Sequence, residues 1–190
     1  MYEPYQPLLD WFPNMTGDFN PRPIMTPSDK PAIRAAIVAK AVSYLGGGAL
    51  ADECLAYVGF KPGHVLSCAF ACFIIGQTLA EAEHTFSYSG LYKTGYGPAL
   101  HAHAFSVRSL FTATQVSLGQ YRLLPGDIMM MWDPAFKGFH HAGIIETTYG
   151  SHDLSFSSIE GEGDGVVRVH RNACDVAPDG RPKYAFIRTL

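Results

Sequence analysis

Charge is scarce in this chain. Of its 190 residues only 16% are Asp, Glu, Lys or Arg, while 47% are hydrophobic, a balance that excludes an intrinsically disordered polymer. Basic runs are absent and the formal net charge is −3, which argues against electrostatic binding to nucleic acid. No stretch approaches the roughly 18 apolar residues that a membrane-spanning helix needs. The four cysteines, Cys54, Cys68, Cys72 and Cys174, form no Cys-x-x-Cys pair, so a disulfide framework is not expected. Residues 1–20 hold Glu3, Asp10, Asp18 and three prolines but no Lys or Arg. They supply neither the positive nor the apolar region of a secretory signal, and the expectation is cytoplasmic synthesis without export by the general route.

What is present fits one domain with a sizeable core. Residues 1–27 are dense in proline and aromatics, Trp11 and Phe12 among them. They are expected to form an arm packed on a body spanning residues 28–190, since large rings are costly to leave in water, with a partner-binding tail as the alternative. Ser28-Asp29-Lys30-Pro31 starts a helix, with a polar cap and proline in the first turn. Ile33, Ala36, Ile37, Ala41, Val42 and Leu45 continue it at helical spacing, and Gly46-Gly47-Gly48 stops it. A short helix is expected over residues 49–57. Residues 84–103 read as a long loop that could wall a cleft, and residues 104–115 as a further helix.

From Leu123 onward the pattern changes to short strands separated by turns, over residues 128–132, 139–148, 153–159, 166–170 and 184–189. Closely spaced strands favour antiparallel pairing. Helices first and strands after predict an α+β domain, with helices on one side of an antiparallel sheet of about five strands.

The chemistry centres on Ser67-Cys68-Ala69-Phe70-Ala71-Cys72. Ser67 is a candidate N-cap, and a thiol in the first turn of a helix ionises more readily because the dipole favours negative charge there. Cys68 is therefore a candidate nucleophile, although a free cysteine is also one of the commonest buried residues. His140-His141-Ala142-Gly143-Ile144-Ile145 reads as a strand in which His141, Gly143 and Ile145 share one face. Gly143 leaves room there for another group to approach. Glu160 or Glu162, one strand on, is placed to accept Nδ1–H of His141 and free Nε2 for the thiol proton. Helical cysteine, strand histidine and neighbouring acid together suit thiol-based acyl transfer. Glu162, His140 and Trp132 are candidates for substrate contact.

These motifs resemble those of the CHAP and NlpC-type amidohydrolases and peptidases that act on bacterial cell walls. The resemblance runs through Cys68-Ala69-Phe70-Ala71-Cys72, Leu123-Leu124-Pro125-Gly126-Asp127-Ile128-Met129, His141-Ala142-Gly143-Ile144-Ile145, Ile159-Glu160-Gly161-Glu162 and the closing Tyr184-Ala185-Phe186-Ile187-Arg188. It implies a papain-like fold with the nucleophile helix packed on the sheet. It also implies peptidoglycan as substrate, with Cys68 as nucleophile, His141 as base and Glu160 as its orienting acid, and no cofactor or metal. Ser67 stands where tryptophan is common, and Glu162 where asparagine is usual. With no export signal, such a protein would act in the periplasm or cell wall after non-classical release, as a lysin or an antibacterial effector with an immunity or delivery partner. Two rival readings compete with it. One is a non-catalytic papain-like shell that binds a partner. The other is a zinc site drawing on Cys68, Cys72, His101, His103, His140 and His141.

Overall fold

Among the described residues six strands, numbered below in chain order, form one antiparallel sheet in the order 1-6-2-3-4-5. The computed structural model describes residues 30–47, 50–61, 64–150, 154–163 and 165–190. The expected arm over residues 1–27 and the cap residues Ser28 and Asp29 lie outside the described residues. In chain order come α1 (Lys30–Ser43), α2 (Ala51–Tyr57), α3 (Leu66–Glu81), a 3-10 turn (Phe86–Ser89), α4 (Gly97–Ser106), β1 (Leu110–Thr112), α5 (Ala113–Ser117), β2 (Ile128–Asp133), β3 (Gly138–Tyr149), β4 (Ser155–Glu162), β5 (Gly165–Asn172) and β6 (Tyr184–Ile187). The class is α+β, with α1–α4 ahead of the sheet and α5 between β1 and β2. Among the described residues no helix is long and apolar enough to cross a membrane.

α3 is the hub. Thirteen of its 16 residues are buried, and a helix apolar on all sides belongs inside a core rather than on its surface. α1 and α2 pack against it, and it lies across β3 and β4. Gly161 on β4 admits this contact, because a Cβ there would sit 2.8 Å from Leu66 Cγ and 2.9 Å from Phe70 Cβ. The strand parity of two then divides the core. Ile128, Met130, Ala142, Ile144, Ile159, Ala185 and Ile187 face α3. Met129, Ile145, Phe156, Tyr184 and Phe186 face away, under Phe111, Val116 and Leu123.

Two sequence expectations give way here. Residues 84–103 are not one loop, since Gly97-Pro98 opens α4, where proline's missing N–H costs nothing in a first turn. Residues 104–115 are not one helix. β1 pairs Leu110 with Ile187 and Phe111 with Phe186, adding a sixth strand, and Thr112 then caps α5 through a reciprocal bond pair with Gln115.

The Pro125-Gly126-Asp127 turn is a structural latch. Gly126 adopts φ +87°, and Asp127 is fully buried. Its carboxylate accepts from Arg34 Nη1 at 2.7 Å and from Leu124 N–H at 3.0 Å, and it pairs with Arg188 at 3.3 Å. Arg34 also donates to the carbonyls of Pro125 and Thr189, tying α1 to the start of β2 and to the chain's last residues.

Candidate functional site

His141 and Glu160 meet, as their adjacent strands allow. Ile144 pairs with Ile159, which sets Gly143 beside Glu160 on the face away from α3. A Cβ on Gly143 would lie 2.6 Å from Glu160 Cγ, so the glycine provides the room expected of it. The Glu160 side chain crosses that space and accepts from His141 Nε2 at 2.5 Å. The bonded nitrogen is Nε2, not the expected Nδ1, which leaves Nδ1 as the nitrogen available for proton transfer.

Arg171 and Ser158 complete this arrangement. Arg171 donates from Nε to Glu160 Oε1 at 2.8 Å and from Nη2 to Oε2 at 2.7 Å. Ser158 Oγ donates to Oε1. Burial alone would push the Glu160 carboxyl up; the bonds from His141, Arg171 and Ser158 outweigh it and hold the group down to about 2. Glu160 therefore stays ionised and acts as an acceptor rather than a proton donor. The Glu160 side chain is 1% exposed and that of His141 20%, so the carboxylate is sealed while the ring meets solvent.

The ring opens into a pocket of about 360 Å³, lined by His141, Glu160, Arg171, Glu162, Met131 and residues 64–66 at the start of α3. Glu162 thus lines the same pocket. His140 and Trp132 do not line it. The parity of β3 sends the His140 ring the other way, against Phe136 at 4.9 Å and Tyr96 at 5.8 Å. Its Nε2 is buried there without a hydrogen-bond partner among the described residues, and burial lowers its pKa. Trp132 donates Nε1–H to Asp179 at 3.0 Å and lies under Arg181.

Cys68 lies on α3 as expected, but its thiol does not reach His141. It belongs to the core cluster on the α3 side of the sheet, whereas His141 shares the opposite face with Gly143 and Glu160. The Cys68 thiol donates to the carbonyl oxygen of His140 at 3.8 Å, so the peptide joining His140 to His141 stands between sulfur and imidazole. Cys68 is 0% exposed. Burial, with a smaller contribution from Cys72, pushes its thiol up to about 12 against a lowering influence of the nearby Ser67 hydroxyl. Desolvation here outweighs the helix dipole. Ser67 is not the N-cap either: Val65 holds that position without a side-chain cap bond.

The six candidate zinc ligands are dispersed. Cys72 donates to the Thr94 carbonyl at 3.3 Å, His101 stacks on Phe139, and His103 bonds the Gly90 carbonyl. Among the described residues no group of three His, Cys, Asp or Glu side chains is placed to hold a metal ion.

Arg171 belongs to the site but to none of the motifs. A sealed carboxylate needs a cation, and two arginines lie on the neighbouring strand. Counting from the Glu160–Val167 pair, Val169 and Arg171 share the face of Glu160, while Arg168 faces the other way and pairs with Glu146. No protein-family model, no curated protein and no solved structure matches this chain.

Proposed function

We propose that the chain is a papain-like peptidoglycan amide hydrolase, cutting within the stem peptide or between glycan and peptide. The observation that carries this reading is the bond from His141 Nε2 to a clamped Glu160, ionised at neutral pH, at the mouth of an open pocket. That arrangement fixes one tautomer of the ring and points Nδ1 at a reacting proton. The order of the cysteine, Pro-Gly-Asp, histidine and Ile-Glu-Gly motifs supports the substrate class. Cys68 is the nucleophile in this scheme. His141 takes the thiol proton, sulfur bonds to the scissile carbonyl carbon, the C–N bond breaks, and the proton passes to the leaving amine. Water then releases the acyl group through the same base.

Turnover on this scheme requires the Cys68 sulfur, sealed on the α3 side of the sheet, to reach the His141 face, where Leu66 of α3 and the two residues before the helix wall the pocket. The site of action would be the periplasm or cell wall. The test is muropeptide mass spectrometry after digestion of purified peptidoglycan, together with alkylation of Cys68 in a Cys174→Ser background. The expected result is loss of at least about 100-fold in rate in both Cys68→Ala and His141→Ala, and faster Cys68 alkylation when peptidoglycan is added. Full activity in both variants would overturn the scheme.

A second reading is favoured by the sealing of Cys68 at 0% exposure: a non-catalytic domain that binds a wall fragment or partner in the same pocket. It predicts retained binding in Cys68→Ala, no released muropeptides from any variant, and no change in alkylation.

A further inference from the structure

We propose that Arg171 is a positioning residue for the His141–Glu160 pair, holding the carboxylate in the one orientation that engages His141 Nε2. This rests on the reading of His141 as the base. The guanidinium meets both carboxylate oxygens, Nε on Oε1 at 2.8 Å and Nη2 on Oε2 at 2.7 Å, the two-point geometry that fixes a carboxylate in plane and rotation. Oε2 is shared with His141 and Oε1 with Ser158, so each oxygen receives two donors and the carboxylate has no freedom to turn.

Arg171 is itself anchored. Its Nη1 reaches Tyr184 Oη at 3.4 Å, and its guanidinium carbon lies 5.8 Å from the centre of the Tyr184 ring. Tyr184, at 1% exposure, is among the largest fully buried side chains. The chain of contacts therefore runs from a rigid ring on β6 through Arg171 on β5 and Glu160 on β4 to His141 on β3. A cation here also has a charge to balance. The groups on Glu160 are His141 from β3, Ser158 from its own strand and Arg171 from β5, and Arg171 alone is a permanent cation. Without it, a carboxylate sealed at 1% exposure would hold its charge only through the imidazole and one hydroxyl. It would take up a proton more readily and stop acting as a fixed acceptor.

The experiment follows the Glu160 side-chain carboxyl by carbon NMR through an acid titration, and the His141 tautomer by nitrogen NMR, in the wild type, Arg171→Leu, Arg171→Lys and Tyr184→Phe. Wild type titrates at about 2 with the proton on Nε2. Arg171→Leu moves the carboxyl midpoint up by more than about one pH unit and gives mixed tautomers. Arg171→Lys, which keeps charge but not the two-point fork, recovers part of the midpoint and less of the tautomer. In turnover, Arg171→Leu lowers kcat with KM little changed. Should Arg171→Leu not fold, Arg171→Lys and Tyr184→Phe carry the same test with smaller shifts in the same direction. A Glu160 midpoint and a His141 tautomer unchanged in folded Arg171→Leu overturn the proposal. Shifts as stated in a protein that releases no muropeptides leave the role of Arg171 standing and remove the hydrolase reading.

Discussion

Gly143→Ala is the smallest change that should dismantle the site. Gly143 lies within β3 in ordinary extended backbone, so alanine fits its dihedral angles and the effect isolates contact from strain. The new methyl would lie 2.6 Å from Glu160 Cγ, 3.2 Å from Cδ and 3.3 Å from Met129 Cε. Carbon atoms pack at about 3.5–4.0 Å, so Glu160 must retreat by about 1 Å. Met129 can yield, because its terminal methyl is the free end of a flexible chain. The Glu160 side chain cannot, because its carboxylate is held by His141, Arg171 and Ser158.

Overpacking of this kind costs about 1–3 kcal/mol. A lost hydrogen bond to a buried charge adds about 1.5–3 kcal/mol, and the stiffer unfolded chain returns about 0.4–1 kcal/mol. The expected net loss is about 3 kcal/mol. Urea unfolding should register it as a midpoint about 1.5 M lower, for a slope of about 2 kcal/mol per M. A double-mutant cycle makes the cause specific. In Glu160→Ala, where Cγ is gone, Gly143→Ala should cost less than about 1 kcal/mol. An equal cost in both backgrounds, or a cost below about 0.5 kcal/mol in the wild-type background, would refute the steric reasoning.

Glu160 also sets an acid limit on stability. Its folded carboxyl titrates at about 2, below an unfolded value of about 4.3. Its contribution is therefore complete above about pH 4.3 and is lost as pH falls through about 2. The gap is worth about 3 kcal/mol, and chemical unfolding at pH 6 and pH 2 should show this loss in the wild type but not in Glu160→Gln. At the Pro-Gly-Asp turn, Asp127→Ala leaves Arg34, 8% exposed, without its carboxylate. The expected destabilisation is about 3–5 kcal/mol by urea unfolding, with Arg34→Met in the same background recovering part of it.

The sheet was legible because Pro, Gly and Asp turns cut residues 123–190 into apolar pieces of strand length, and β2 to β6 fall within about three residues of the expected bounds. β1 was not legible. Leu110-Phe111-Thr112 is too short to show a period, and only its pairing with β6 makes it a strand. α4 was hidden because Gly97-Pro98 reads as a breaker in isolation, and only the helix that follows shows it to be a first turn. The His141–Glu160 contact could be read, since adjacent strands and a glycine at Gly143 require it. The Arg171 clamp could have been read from the same register, by asking which basic residue on β5 shares the parity of Glu160.

The relation of Cys68 to His141 shows what motif order leaves out. Order along the chain brings a helix beside a sheet, but parity decides which face of the sheet the helix sees. Ala142 and Ile144 are apolar and flank Gly143, so they claim the buried helix side, and His141 must then point away from α3. The opposing evidence on α3 is silent: its buried residues surround the helix, so no apolar stripe says which side meets the strand. The packing of Leu66 and Phe70 onto Gly161 settles the rotation of the helix and carries Cys68 under the His140 carbonyl. A histidine and an acid in the right sequence thus fix an imidazole and its carboxylate acceptor. The reach of the Cys68 thiol depends on how the first turn of α3 is seated, which is why the alkylation rate of Cys68 in the presence of peptidoglycan discriminates between the proposed hydrolase and a binding domain.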